Sequence, residues 1–273
     1  MKEWMILVIL ALLSACVPAR TPAQVTPAAT TFTPVGSYWR PAPGDSFQIQ
    51  FSGEFDPSVQ ADVYDLDLFD TAPAIVTELH ARGSHVLCYI SVGSWEQWRP
   101  DANQFPAEVI GKDYQGWPGE KWLDIRQIDK LAPILRARLD LCASKGFDGI
   151  EPDNLEVTGN DSGFPISYAD QLAFATWLAG EAHTRGLPIG LKNAPDMAMD
   201  AVPYFDFAVV EDCYVYAWCM DLHPFTDAGK PVFAIEYTDT GIDFSSACAE
   251  ARSLGLTMLL KNRNLDAYRE NCP

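Results

Sequence analysis

The sequence predicts an α/β protein consisting of a single (β/α)8 barrel. Eight short apolar runs alternate with helical patterns, and several of the runs end in acidic or amide residues. Strands that alternate with helices favour a parallel sheet. Eight such units within about 235 residues are typical of a closed barrel rather than an open doubly wound sheet. We therefore expect one domain over residues 36–273.

The N-terminal segment predicts export. Residues 1–15 combine Lys2, a short apolar stretch and small residues, which is the pattern of a signal peptide and is too short to span a bilayer. The Leu-Ser-Ala-Cys ending resembles a bacterial lipobox, in which Cys16 becomes the lipid-bearing first residue. An ordinary secretory signal with a chance cysteine is the alternative. Residues 16–35, rich in Thr, Pro and Ala, predict a disordered tether. We expect an exported bacterial lipoprotein, anchored to the membrane or cell surface only through its lipid.

The eight predicted strands are short runs that contain many β-branched and aromatic residues. They lie at residues 47–51, 63–69, 85–92, 147–151, 188–192, 205–210, 232–237 and 257–260. Helices are predicted between most of them, most clearly at residues 73–82, 128–145 and 168–185. Each of these three helices ends before a glycine, which can adopt the left-handed conformation of a helix C-cap.

Residues 93–121 show no helical period and predict a long loop after the third strand. This loop carries Trp95, Trp98, Tyr114 and Trp117. Aromatic faces suit stacking on the apolar face of a sugar ring, and on this ground Trp95 is a predicted substrate contact. Alternatively, the tryptophans pack the loop onto the barrel.

The formal net charge of -18 predicts an acidic surface. Such a surface repels nucleic acid and attracts cationic polymers. Nucleic acid is therefore not an expected partner. The alternative to electrostatic attraction of a substrate is that the charge serves solubility alone.

Apart from Cys16, the cysteines are even in number, which in an exported chain predicts disulfides. Three pairs fit the predicted elements: Cys88 with Cys142, Cys213 with Cys219, and Cys248 with Cys272. They represent one of many connectivities that the same cysteines allow.

The motifs of cofactor and metal chemistry are absent from the sequence. No glycine-rich phosphate loop follows any strand, the histidines show no metal-ligand spacing, and neither Cys-x-x-Cys nor Gly-x-Ser-x-Gly occurs. We expect no cofactor, no metal site and no acyl transfer. A monomer is expected.

Polar residues finish most of the predicted strands, at the end of a barrel where active sites are built. Those predicted to bind substrate are Asp67, Asp70, Asn154, Lys192, Asn193, Asp212 and Glu236. Asp148 and Glu151 would extend this acidic cleft. Alternatively, they would pair with Lys192 or Lys261 as structural ions. Lys192 itself would hydrogen-bond a substrate hydroxyl or keep Asp153 ionised.

Two carboxyl groups are the candidate catalytic residues. Asp153 follows the fourth predicted strand and Glu211 follows the sixth. On alternate strands of one barrel they would face each other across a sugar, as glycoside hydrolysis requires. A separation of about 5–5.5 Å implies a covalent intermediate and retention, and one of about 6.5–9.5 Å implies inversion. The sequence leaves this distance open.

Three segments resemble glycoside hydrolase family 114, the endo-α-1,4-polygalactosaminidases. They are Phe-Asp-Gly-Ile-Glu-Pro-Asp-Asn at 147–154, Gly-Leu-Lys-Asn at 190–193, and Val-Glu-Asp-Cys at 210–213 followed by Cys219. The resemblance implies a (β/α)8 barrel that acts within a cationic galactosamine polymer. It also implies retention, with Asp153 as nucleophile and Glu211 as general acid and base, although the two roles are interchangeable on sequence alone. One departure is Glu-Asp-Cys, where many relatives have Glu-Glu-Cys or Glu-Gln-Cys.

Two other functions fit the same residues. A non-catalytic carbohydrate-binding barrel would grip a polymer in the same cleft without cutting it. A hydrolase of another exported α-glycan would use the same two carboxyl groups on a different sugar.

Overall fold

A computed structural model describes residues 38–273 of the chain. The predicted signal peptide, the lipidation site Cys16 and the tether lie outside the described residues. Within the described part, no helix is both long enough and apolar enough to cross a membrane.

The described part contains twelve strands and six α-helices. The strands are β1 (Phe47–Gln50), β2 (Val63–Asp67), β3 (His85–Ser91), β4 (Ser94–Glu96), β5 (Ile110–Asp113), β6 (Glu120–Leu123), β7 (Gly149–Asp153), β8 (Gly190–Lys192), β9 (Phe207–Glu211), β10 (Val232–Tyr237), β11 (Thr257–Lys261) and β12 (Glu270–Asn271). The helices are α1 (Pro73–Ala81), α2 (Ile128–Lys145), α3 (Tyr168–His183), α4 (Ala198–Ala201), α5 (His223–Asp227) and α6 (Phe244–Leu254). Short 3-10 turns lie at Ala102–Gln104, Ala107–Val109, Pro195–Met197, Cys219–Leu222 and Thr238–Thr240.

Eight of the strands run parallel, which confirms the predicted α/β class. One sheet has the order β1-β2-β3-β7 and the other has the order β8-β9-β10-β11, with β12 added antiparallel to β11. A single parallel bridge between Ile150 and Ile189 joins β7 to β8. The last parallel strand also contacts the first, since Lys261 Nζ donates to Gln48 Oε1 at 3.2 Å. This order is consistent with the predicted barrel.

The interior between the two sheets is apolar at the amino ends of the strands. Phe47, Phe207 and Phe233 pack there, with ring centroids 4.4 Å apart for Phe47 and Phe233 and 6.3 Å apart for Phe207 and Phe233. Gly190 makes room for them, because a Cβ atom at this position would lie 2.3 Å from the Phe207 ring. The polar carboxyl ends of the strands therefore lie above a layer of packed apolar side chains.

Of the three helices predicted most clearly, α2 ends at Lys145 as predicted, whereas α1 ends one residue and α3 two residues before the predicted position. Gly146 follows α2 in the left-handed conformation with φ of 90°, and its N–H caps the helix. Ser167 and Asp170 form a reciprocal capping box at the start of α3. All three predicted disulfides are present, and the Cys88–Cys142 bond ties β3 to α2.

The prediction of a loop at residues 93–121 is wrong. This segment and the residues after it form a small antiparallel sheet in the order β4-β6-β5, which we call the insertion sheet. Its strands have three or four residues each, too few to show a periodic pattern in the sequence. The chain passes very close to the end of β7 at the start of the insertion sheet. Only glycine fits at position 93, because a Cβ atom there would lie 1.7 Å from the Asn154 carbonyl oxygen.

Candidate active site

A cavity of about 350 Å³ opens at the carboxyl ends of β7, β8 and β9. We call it the catalytic cavity. Its lining consists of carboxylates, amides and aromatic rings with one arginine: Tyr89, Tyr114, Trp117, Glu120, Asp153, Asn154, Glu156, Asn193, Glu211, Asp212, Tyr216, Trp218 and Arg263. Five predicted site residues are brought together here, namely Asp153, Asn154, Asn193, Glu211 and Asp212.

The backbone turns sharply immediately after each of these three strands. Asn154, Asn193 and Asp212 follow the last strand residues with φ of 65°, 49° and 58°. Asn and Asp are the side-chain-bearing residues that tolerate this left-handed conformation best. The turns are held locally, since the Asn193 side-chain oxygen accepts the Glu211 N–H at 2.9 Å. Asn154 donates to Ser91 Oγ at 3.0 Å.

Lys192 is a buried cation that lies close to three carboxylates of the site. Its Nζ lies 2.5 Å from Glu151 Oε1, 3.3 Å from Asp153 Oδ1 and 3.4 Å from Glu211 Oε2. Burial alone would lower the pKa of Lys192, but the three negative charges hold it well above its usual value. Lys192 is thus a cation that attracts both candidate catalytic carboxylates.

A tyrosine holds the other oxygen of each candidate catalytic carboxylate. Tyr89 donates its hydroxyl to Asp153 Oδ2 at 3.0 Å, and Tyr237 donates to Glu211 Oε1. Each carboxylate therefore has one oxygen near Lys192 and one on a phenol. Asp153 remains 20% exposed and Glu211 24% exposed, so both still face the cavity.

Two further carboxyl groups lie beneath the site. Glu151 is fully buried, and burial raises its pKa to about 7 against the opposing charge of Lys192. Asp65 on β2 is also fully buried, and neither of its oxygens has a hydrogen-bond partner within the described part of the chain. Burial and the charge of Glu151 raise the pKa of Asp65 well above its usual value.

Arg263 closes one side of the catalytic cavity. It lies 2.6 Å from Asp212 and 2.9 Å from Asp239, and its guanidinium carbon is 3.9 Å from the centre of the Tyr237 ring. Arg263 therefore packs on the ring of Tyr237, whose hydroxyl holds Glu211.

A loop after β9 supplies aromatic walls to the cavity. The Cys213–Cys219 disulfide closes this loop, which carries Tyr216 and Trp218. Glu236, predicted to bind substrate, is fully buried and accepts the backbone N–H of Tyr214 at 2.6 Å. Burial raises the pKa of Glu236 to about 7. In the structure, Glu236 therefore holds the loop from below, outside the lining of the cavity.

The insertion sheet supplies the opposite wall. Tyr114 and Trp117 line the cavity, and the Tyr114 ring lies 4.1 Å from that of Trp122. Trp95 lies outside the lining, because its indole N–H donates to the Ala102 carbonyl at 2.9 Å and its ring packs on the core. Tyr114 and Trp117 therefore lie where a substrate contact was expected, whereas Trp95 packs this segment onto the barrel.

Asp67 and Asp70 lie at a second, separate cavity of about 120 Å³ at the ends of β1 and β2. Arg99 Nη2 approaches Asp67 at 2.7 Å, and Asp67 Oδ1 accepts two backbone N–H groups. Asp148 precedes β7 and hydrogen-bonds His80 and the Val86 N–H, so it lies at the opposite end of the strands from the cavity. This placement corrects the expectation that Asp148 belongs to the acidic cleft.

Sequence reasoning missed several residues of the site, namely Tyr89, Glu120, Glu156, Tyr216, Trp218, Tyr237 and Arg263. For the tyrosines on strands a signal exists. Tyr89 and Tyr237 share the two-residue alternation of inward side chains such as Leu87 and Ile235. The loop residues carry no such signal.

The geometry limits the distance between the candidate catalytic carboxylates. Asp153 Oδ1 and Glu211 Oε2 each lie within 3.4 Å of the same Lys192 nitrogen. These two oxygens are therefore at most about 7 Å apart, a separation that admits the retaining geometry.

The family model described as "Glycoside-hydrolase family GH114" matches residues 28–273. Among solved structures, the chain is similar to Ega3 of Aspergillus fumigatus in complex with galactosamine. The two share 37% identity over 87% of this chain and 100% of that chain, with a TM-score of 0.81.

Two more distant relatives share less of the sequence. The glycoside hydrolase domain of PelA from Pseudomonas aeruginosa is 18% identical over 84% of this chain and 99% of that chain, with a TM-score of 0.68, which shows the fold alone. An uncharacterized protein of Deinococcus radiodurans is 27% identical over 223 residues, or 74% of this chain and 71% of that protein.

Proposed function

The chain belongs to glycoside hydrolase family GH114, and we propose that it cleaves α-1,4-linked galactosamine polysaccharide within the polymer and with retention. One observation carries the assignment of the residues. Asp153 and Glu211 line the same cavity and share contact with a single lysine nitrogen. We further infer that the eight parallel strands close as the predicted (β/α)8 barrel.

In the first step, Asp153 attacks the anomeric carbon while Glu211 protonates the leaving oxygen. A covalent glycosyl-enzyme forms and the aglycone departs. In the second step, Glu211 takes a proton from water, which attacks the anomeric carbon and releases Asp153. The positions of both carboxylates are set before substrate arrives, since each is held by a tyrosine and by Lys192.

The choice of galactosamine rests on charge and on one relative. A galactosamine unit with a free amine is a cation, and the cavity lining holds five acidic side chains and one arginine. The sequence as a whole carries a formal net charge of -18. This field concentrates a cationic polymer at the site. Ega3, which is 37% identical to this chain, was solved in complex with galactosamine.

Mass spectrometry of the products tests this function directly. The purified protein is incubated with deacetylated galactosamine polymer, with neutral galactan and with starch. We expect oligosaccharides only from the first polymer, and none from the Asp153→Asn and Glu211→Gln variants. If the wild-type protein and both variants bind the polymer equally well and none of them cleaves it, the protein is instead a carbohydrate-binding barrel. Cleavage of starch or galactan would indicate another α-glycan as substrate.

We also propose that the protein is exported and is a monomer held by a lipid on Cys16. Three disulfides in the described part support an oxidising compartment. Metabolic labelling with a fatty acid analogue tests the anchor, and the Cys16→Ala variant should lose the label.

A further inference from the structure

We propose that Glu156 recognises the ammonium group of the galactosamine unit in the catalytic cavity and releases a proton to solvent when that unit binds. The inference rests on the proposed function and deepens it. It assigns the choice between amine and acetamide to one side chain.

Glu156 is placed to do this by its position next to the reacting groups. It follows Asp153 by three residues, beyond the sharp turn at Asn154, and lines the same cavity. The side chain is half-buried, but its Oε2 atom is fully buried and has no hydrogen-bond partner among residues 38–273. Glu120, the other carboxyl on this wall, differs because it accepts the Ser94 hydroxyl at 3.0 Å. An unsatisfied buried acceptor in a ligand cavity is costly unless a ligand completes it.

The charged and titratable groups around Glu156 come from four elements. They are Asp153 at the end of β7, Lys192 on β8, Glu211 on β9 and Tyr114 beside β5. Burial and the charge of Asp153 raise the pKa of Glu156 to about 8, with Lys192 opposing the shift. In the empty cavity, Glu156 is therefore a neutral carboxylic acid at and below neutral pH.

A bound ammonium changes this balance. A positive charge beside the carboxyl favours its ionised form, so the O–H bond breaks and the proton passes to solvent. The ammonium keeps its own protons and donates one to the new carboxylate as a charge-assisted hydrogen bond. An N-acetylated unit carries no charge and brings no such gain.

Calorimetry of ligand binding measures the released proton. Galactosamine and N-acetylgalactosamine are titrated into the wild-type protein at pH 6.5 in buffers that differ in ionisation enthalpy. Neither monosaccharide has a glycosidic bond to cleave. We expect release of about one proton per bound galactosamine, and none for N-acetylgalactosamine or for the Glu156→Gln variant. Galactosamine that binds without proton release, or does not bind, overturns the inference.

Kinetics on oligosaccharides of defined acetylation give an independent test. For Glu156→Gln, we expect the ratio of kcat/KM on the deacetylated oligosaccharide to kcat/KM on the N-acetylated one to fall about 10- to 100-fold. The matched control is Asp161→Asn, which removes a carboxylate of the same segment that is 82% exposed, bonded to Lys112 and outside the catalytic cavity. It should behave as wild type.

The two possible failures are distinguishable. If the wild-type protein cleaves no galactosamine polymer at any acetylation, the proposed function is wrong. If the wild-type protein cleaves it and Glu156→Gln keeps the full preference for the amine, only the role of Glu156 is wrong. Circular dichroism of the variant confirms that it is folded before either conclusion is drawn.

Discussion

Two clusters at the carboxyl ends of the strands each join a buried cation to carboxylates, but with different geometry. In the Lys192 cluster, Asp153 and Glu211 lie 3.3 Å and 3.4 Å from the cation and are 20% and 24% exposed. In the Arg99 cluster, Asp67 lies 2.7 Å from the guanidinium and is 6% exposed. The arginine also reaches Glu96 at 2.8 Å.

The difference separates a reactive carboxylate from a structural one. Asp67 uses both oxygens inside the protein, since one accepts two backbone N–H groups and the other meets Arg99. Among residues 38–273, the Asp153 side chain accepts one hydrogen bond, from Tyr89, and its contact with Lys192 is longer. A carboxylate that must attack a sugar needs lone pairs left free towards the cavity, and Asp153 keeps them whereas Asp67 does not.

The largest expected effect is at Asp153. Asp153→Asn should lower kcat by about 10⁴-fold, because the amide cannot act as the nucleophile, while the melting temperature changes little. Asp67→Asn is the matched substitution in the other cluster and should keep kcat within a few-fold. Assays of product release with both variants measure the contrast. Equal losses of activity in the two variants would break the distinction between the clusters.

The two cations provide the second test. Lys192→Met should lower kcat by about 10²- to 10³-fold, since the preorganised charge between the catalytic carboxylates is lost. Arg99→Met should keep kcat within a few-fold. Both substitutions should lower the free energy of unfolding by about 3 kcal/mol, because Asp67 and Glu96 in one case and Glu151 in the other are left buried without their partner. Denaturant titration and steady-state kinetics of both variants separate the two results. An active Lys192→Met enzyme would contradict the assigned role.

Glu236 extends the comparison to a carboxyl with no cation in contact. Burial raises its pKa to about 7, although the N–H groups of Tyr214 and Val215 oppose the shift. A raised pKa in the folded state means that its contribution to stability is complete below the unfolded pKa of about 4.5 and is lost as pH rises through about 7. The loss amounts to about 2–3 kcal/mol between pH 4.5 and 8. Unfolding measured across this range should show a flatter profile for Glu236→Gln than for wild type.

The smallest expected effect is at Tyr237. Tyr237→Phe removes the hydroxyl that Glu211 accepts and should lower kcat by about tenfold, the value of one hydrogen bond to a charged group. The pH profile of kcat should move as well, because the phenol holds one oxygen of the acid and base. A Tyr237→Phe enzyme with wild-type kcat and pH profile would show that Lys192 alone positions Glu211.

Local structure can be predicted from the sequence where apolar residues repeat with a fixed period or where an adjacent residue sets the conformation. The helix α2 and its cap at Gly146 follow from apolar spacing and one glycine. Asp153 is a candidate catalytic residue because it ends a strand. Asp67 ends a strand in the same way, and nothing local distinguishes it, since Arg99 reaches it from a distant part of the chain. Trp95 and Trp117 likewise look alike in sequence, and only the insertion sheet places one in the core and the other at the cavity.

The Cys213–Cys219 bond has a practical consequence for production of the protein. It closes the loop next to Glu211 that carries Tyr216 and Trp218. In a host whose cytoplasm is kept reduced, this loop would lose its covalent closure. We expect protein made in such a host to have a less ordered aromatic loop and a low specific activity. Periplasmic or secretory expression is therefore the sound choice for every assay above.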